Sequence, residues 1–244
     1  MSGTTPAGAR DEREAADWVR RMFGRVAHRY DLANHLLSFN IDRHWRSHTV
    51  SRVRHILDRP GARVLDICCG TGDLVLALGR RSRSPVMGSD FCHPMLVAAR
   101  RKIAQHGGPA WLFEADALEL PLRTGAIDLI TVAFGFRNLA NYEKGLLEMR
   151  RVLRPGGMAA ILEFSQPPNP LFRSLYGFYS RRILPLVGGM LSGSPDAYAY
   201  LPESVRKFPS PSDLAARMRQ AGFDGVTFEL LTGGIVALHL GVAE

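Results

Sequence analysis

The sequence predicts an α/β protein, doubly wound, with a mostly parallel sheet that finishes in an antiparallel C-terminal hairpin. Three observations carry this. From Arg63 onward, short β-rich apolar runs alternate with helix-length segments, as in parallel strands joined by crossover helices. The first run passes directly into a glycine turn, Gly70-Thr71-Gly72, that opens a helix. The last two runs, Val226 to Leu231 and Ile235 to Val242, are separated only by Thr232-Gly233-Gly234. That link is too short for a parallel crossover, so the two runs must pair as a hairpin.

The other strands are expected at Arg63 to Ile67, Pro85 to Ser89, Ala110 to Glu114, Ile127 to Ala133 and Met158 to Glu163. Helices are expected near Asp73 to Arg80, Pro94 to Gln105, Tyr142 to Leu153 and Ser212 to Ala221, the last ended by Gly222. Before the sheet, Trp18, Val19, Met22, Phe23, Val26 and Tyr30 recur at helical spacing among basic residues, until Pro60-Gly61 breaks the pattern. The expected organisation is a disordered tail over 1–17, a helical cap over 18–59, and one catalytic-type domain over 60–244. An aromatic, apolar and basic insertion at about 169–193 interrupts the strand–helix rhythm.

Composition narrows the function classes. A chain of 244 residues, 46% hydrophobic, can bury one substantial core. Met1 to Asp17 has no apolar run of the secretory kind, so the expected location is the cytoplasm. Ile183 to Leu191 is far shorter than the ~20 residues a bilayer span needs, although it is apolar enough to touch a membrane surface. Cys68, Cys69 and Cys92 do not have the spacing of a zinc site or a disulfide framework. The net charge of +8 favours a polyanionic surface such as an anionic membrane, but it specifies no partner. A nucleic-acid module would rest on that charge alone, without an aromatic-rich RNA signature, so no nucleic acid is expected.

The sharpest motif is Val64-Leu65-Asp66-Ile67-Cys68-Cys69-Gly70-Thr71-Gly72-Asp73-Leu74. Its glycines let the backbone approach a ligand that a Cβ would exclude. A dinucleotide site wants a small residue where Val75 stands, and Asp66 in the turn would repel a pyrophosphate. An acidic side chain there attracts the ammonium of an amino-acid moiety instead. Asp90, at the end of the second strand, is placed to accept ribose hydroxyls. Asp116 and Ala117, after the third, are placed to address an adenine ring. Gly70, Thr71 and Gly72 with Asp66, Asp90 and Asp116 at successive strand ends resemble the class I S-adenosylmethionine-dependent methyltransferases. An NAD-dependent oxidoreductase is the rival that Val75 and the antiparallel finish disfavour.

The flanking segments resemble a narrower group. Tyr30-Asp31-Leu32-Ala33-Asn34-His35-Leu36-Leu37-Ser38 with His44-Trp45-Arg46, then Phe134-Gly135-Phe136-Arg137-Asn138, are similar to signatures of the ubiquinone/menaquinone biosynthesis C-methyltransferase family. So are Arg151 to Gly157, Glu163-Phe164-Ser165, Tyr198 to Ser204 and Gly233 to His239. Ala33, Asp42, Ala133 and Arg154 depart from the family's usual residues.

The resemblance implies that Thr71, Asp90, Asp116 and Ala117 bind S-adenosylmethionine, and that a methyl group goes to a ring carbon of a polyprenyl naphthoquinol. Arg137 is then expected to stabilise the quinol oxyanion, with Asn138 positioning a water. Tyr30, Asp31 and Tyr200 fall to the substrate side, with Tyr30 and Asp31 placed to close over the cofactor. No metal is expected. The insertion's apolar side chains are expected to hold the isoprenoid tail, with Arg173, Arg181 and Arg182 toward lipid headgroups on the inner face of the membrane, or else to form a lid. A second, ubiquinol-type acceptor, a small-molecule O- or N-methyltransferase and a homo-oligomer all stay open.

Overall fold

The computed structural model describes residues 3–6, 8–28, 31, 35, 38–106, 110–183 and 195–244. Its centre is a seven-stranded sheet of order β3-β2-β1-β4-β5-β7-β6. The strands are β1 Val64–Ile67, β2 Val86–Asp90, β3 Ala110–Glu114, β4 Ile127–Ala133, β5 Leu153–Phe164, β6 Phe223–Leu231 and β7 Val236–Ala243. The pairs β1–β2, β1–β4, β2–β3 and β4–β5 are parallel; β5–β7 and β6–β7 are antiparallel. The hairpin therefore forms as the short Thr232–Gly234 link requires, and β7 slots between β5 and β6.

Burial explains the apolar runs. Every residue of β1 is buried, as are the first six of β4, because helices cover both faces of the sheet. The period-2 alternation divides the side chains between two cores. Leu65, Ile67, Ile130, Val132 and Ile161 face α6 (Tyr142–Val152) and α9 (Pro211–Gln220). Val64, Leu129, Ala160 and Leu162 face α2 (Ile41–Arg52), α3 (Arg54–Leu57), α4 (Asp73–Gly79) and α5 (His93–His106).

Several boundaries differ from expectation. Helix α1, Glu12–Val26, begins inside the segment expected to be a disordered tail. Asp11 caps it, accepting from the Glu14 N–H at 2.8 Å, and Glu12 and Glu14 complement the helix dipole in the first turn. Thr4, also in that segment, is buried: its N–H donates to the Leu139 carbonyl at 2.8 Å and its hydroxyl bonds the Tyr200 hydroxyl at 2.6 Å. Strand β5 starts at Leu153 rather than Met158. Leu153 pairs with Ile127 before the Pro155-Gly156-Gly157 irregularity shifts the register.

In the insertion, Asn169 caps α7 (Pro170–Phe178), a π-helical turn follows over Tyr179–Ile183, and α8 (Pro195–Lys207) returns the chain. Residues 184–194 lie outside the described residues. No helix among the described residues is long and apolar enough to cross a membrane.

Candidate functional site

The sheet order reverses between β1 and β4. The helix after β1, α4, packs on one face and the helix after β4, α6, on the other, so a crevice opens at the carboxyl ends of these two strands. The backbone there is unusual. Cys68 has φ 49°, Gly70 φ 55°, Gly72 φ 85° and Phe134 φ 61°. The two strand-end loops approach so closely that a Cβ on Gly135 would stand 2.5 Å from the Cβ of Cys68, which only glycine permits.

Asp90 braces the glycine loop. Its Oδ2 accepts from the Gly70 N–H and its Oδ1 from the Cys92 N–H, both at 2.8 Å, and the Phe91 N–H adds a third backbone bond to the carboxylate. Asp66 lies in β1 itself, not in the turn as expected, with 1% of its surface exposed and its Oδ1 accepting from the Thr131 hydroxyl at 2.6 Å. Burial pushes its carboxyl up to about 7, and burial pushes Asp90 up to about 6.

These residues surround a cavity of about 910 Å³. Of the residues singled out from the sequence, Asp66, Gly70, Thr71, Asp90, Asp116, Ala117 and Asn138 line it. Gly72 does not: it ends the turn and caps α4. Asp31 is not among the lining residues either. It accepts from the Thr71 hydroxyl and pairs with Lys102 Nζ, each at 2.5 Å, so its contact with the site is through Thr71. Tyr30 lies outside the described residues.

A second cavity, of about 1500 Å³, adjoins the first; Phe23, Arg46 and Phe134 line both. Its wall is mainly apolar and aromatic, with Met22, Trp45, Phe164, Tyr176, Tyr179 and Val205 among its residues. Arg137 and Tyr200 line this second cavity, although the sequence placed Arg137 at the cofactor crevice. The Arg137 guanidinium is buried against the Phe164 ring. Its Nη1 donates to Glu163 Oε1 at 2.9 Å and to the Phe134 carbonyl, and its Nε to the Ser204 hydroxyl at 3.3 Å. The Tyr200 hydroxyl donates to Asn138 Oδ1 at 3.0 Å and meets Thr4, so its polar end is spent on holding the wall. Asn138, in the lining of the first cavity, thus bonds across to Tyr200 in the wall of the second.

Sequence reasoning missed Glu163, Asp42 and Arg46 as site residues. Glu163 is held through Arg137 and Arg46 reaches Asp73 and the Phe134 ring, pairings across separate elements, whereas Asp42 is held by its near neighbours His35, Ser38 and Arg46. The nearest local signal was the charged spacing Asp42–Arg46 on one helical face. His35, Asp42 and Asp73 bring their ligand atoms within 4.8 Å of one another, but Arg46 reaches both aspartates and Lys102 reaches Asp73, so cations already meet that charge.

Outside the second cavity, Leu171, Leu175 and Phe178 of α7 are 73%, 62% and 62% exposed. They share a helical face, while Tyr176 and Tyr179 turn toward the cavity. Phe39, 74% exposed, sits with its ring 6.4 Å from Tyr179 at the same rim. Arg173 is turned back, its guanidinium donating to the Pro167 and Pro168 carbonyls at 2.7 and 3.0 Å, rather than outward as expected.

Comparison with known proteins agrees with this geometry. Residues 8–243 match the model of the ubiE/COQ5 methyltransferase family. The chain is 50% identical to a demethylmenaquinone methyltransferase of Thermus thermophilus, over 90% of this chain and 99% of that one. It is 43% identical to the ubiquinone/menaquinone biosynthesis C-methyltransferase of Syntrophotalea carbinolica, over 95% and 96%. A crystal structure of a SAM-dependent methyltransferase from Thermotoga maritima superimposes with a TM-score of 0.63 at 17% identity, covering 92% of this chain and 99% of that one, which shows the shared fold. The chain belongs to the ubiE/COQ5 methyltransferase family.

Proposed function

We propose that this protein transfers a methyl group from S-adenosylmethionine to a ring carbon of demethylmenaquinol, giving menaquinol. The observation that carries this is the pair of adjoining cavities, one rich in carboxylates and one apolar, sharing Arg46 and Phe134. The first suits the donor. Its buried Asp66 and Asp90 answer an ammonium and ribose hydroxyls. Four aspartates, Asp66, Asp73, Asp90 and Asp116, stand against one basic side chain, Arg46, among its described lining residues, a balance that repels a pyrophosphate. The second suits a naphthoquinol ring and the start of its prenyl tail.

S-adenosylmethionine supplies an electrophilic methyl on a sulfonium. The chain's own residues must hold the ring carbon in line with it and raise electron density there. Loss of the quinol hydroxyl proton to solvent makes the adjacent carbon nucleophilic, and the Arg137 guanidinium stabilises the resulting oxyanion; as that carbon takes the methyl, the methyl–sulfur bond breaks to leave S-adenosylhomocysteine, and the ring C–H proton returns to the oxygen to restore the quinol. Glu163 and the Phe134 carbonyl fix that guanidinium in a wall that excludes water. The likeness to the Syntrophotalea enzyme, whose name carries both quinones, favours a ubiquinol precursor as a second acceptor.

The exposed face of Leu171, Leu175 and Phe178, continuous with the cavity rim at Phe39, supports a peripheral seat on an anionic membrane from which the quinol enters. One assay tests reaction and seat together. Purified protein given labelled S-adenosylmethionine should methylate demethylmenaquinol embedded in vesicles, faster from anionic than from neutral lipid, with the difference lost at high salt. No product from any lipid would refute the reaction. Equal rates from both lipids at low salt would refute the membrane seat alone.

A further inference from the structure

The first cavity has several acids and one base. Asp66, Asp73, Asp90 and Asp116 line it, and among its described lining residues the only cationic side chain is Arg46. Helix α2 carries Arg46, anchored by the Trp45 indole N–H to the Thr232 hydroxyl at 2.8 Å and by the ion pair between Arg52 and Glu229 at 2.7 Å. The guanidinium lies over the Phe134 ring, 5.4 Å from its centroid, at the wall shared with the second cavity. Asp42 holds Nη1, while Nη2 stands 3.6 Å from Asp73, beyond hydrogen-bond reach. Among the described residues the Asp42 bond is the one hydrogen bond Arg46 makes, so most of the five N–H donors of its fork are uncommitted. Lys102, the other cation close by, is engaged with Asp31, Thr71 and Asp73 and is not among the lining residues.

We propose that Arg46 is the clasp for the α-carboxylate of the methyl donor, with Asp42 as its positioning residue. The inference rests on the donor occupying the first cavity. In an amino-acid moiety the ammonium and the carboxylate hang from one carbon, so their partners must converge on one end of the site. Asp66 and Arg46 meet that requirement: both line this cavity, and Arg46 is the cation whose field acts on the buried Asp66 carboxyl. Asp116, Asp90 and then the Asp66–Arg46 pair give successive positions for base, ribose and amino acid. A planar fork with N–H groups unbonded among the described residues suits a carboxylate better than any other side chain in the described lining. Because Arg46 also lines the acceptor cavity, the same contact fixes one edge of that cavity when the donor is bound.

The test is calorimetric binding of S-adenosylmethionine and its decarboxylated analogue, which differ only in that carboxylate. Wild-type protein should prefer the carboxylated donor by roughly 10- to 100-fold, and Arg46→Ala should bind the two alike, with the decarboxylated analogue held within about twofold of wild type. The double variant Arg46→Ala with Asp42→Asn also removes the buried carboxylate that the single change leaves with only His35 and Ser38 as partners, and should show the same loss of preference. A preference that persists in both variants, or is absent from wild type, would overturn the clasp. Wild-type protein that binds neither nucleoside would overturn the donor site itself, and the clasp with it.

Discussion

Replacing Arg137 with Ala is expected to lower turnover roughly 10²- to 10³-fold while leaving S-adenosylmethionine affinity within a few-fold of wild type. The asymmetry follows from placement: Arg137 lines the acceptor cavity and is not among the residues of the donor cavity. In the proposed reaction it meets charge that develops on the quinol oxygen, an interaction made in the transition state and weak in the ground state. The change also strands Glu163, 1% exposed, without its ion-pair partner. Removing one member of a buried pair costs roughly 3–5 kcal/mol, so the melting temperature should fall. Arg137→Lys keeps the charge and should restore much of that stability, yet it lacks the planar fork and should recover little turnover. Binding calorimetry and single-turnover rates on both variants check this, and an equal loss of donor affinity and turnover would sink the oxyanion role.

Asp66→Asn is expected to weaken S-adenosylhomocysteine binding roughly 10- to 100-fold at pH 8, and to remove the part of the wild-type pH dependence that centres near 7, leaving the acid limb due to Asp90. The wild-type carboxyl is pushed up to about 7 by burial, with the Thr131 hydrogen bond opposing the shift. An ammonium ligand binds the ionised form, so affinity should rise as pH increases toward about 7 and flatten above it, with a proton released on binding below that point. Asp90, pushed up to about 6, should steepen the acid limb.

The unliganded protein should behave oppositely. Because the folded pKa lies above the usual 3.8, the contribution of Asp66 to stability is complete below about 4 and is lost as pH rises through about 7. Calorimetry in buffers of different ionisation enthalpy counts the released proton. A flat affinity between pH 5.5 and 8 in wild type would contradict the assignment of Asp66 to the ammonium.

Much of this architecture was legible because local chemistry and tertiary context agree. The strands of the parallel core read as continuous apolar runs since helices bury both faces, and Thr232-Gly233-Gly234 leaves the final pair no alternative to a hairpin. The start of α1 was not legible. Asp11 caps the helix within a stretch whose composition suggests disorder, and Thr4 is ordered by bonds to Leu139 and Tyr200, residues distant in sequence. At the site, Asp66, Asp90 and Asp116 were visible as acids at strand ends, because sheet topology fixes where strand ends meet. Arg46 and Glu163 were not. Their importance depends on how α2 and β5 approach β4, and nothing in the local pattern records that Phe134, at φ 61°, turns its carbonyl to Arg137 and its ring to Arg46.

Quinone profiling by mass spectrometry of a strain lacking this chain decides whether the two adjoining cavities carry out the C-methylation of a naphthoquinol. Demethylmenaquinone should accumulate at the expense of menaquinone, and the wild-type gene, but not the Arg137→Ala form, should reverse it. An unchanged quinone profile in the deletion strain would contradict the account.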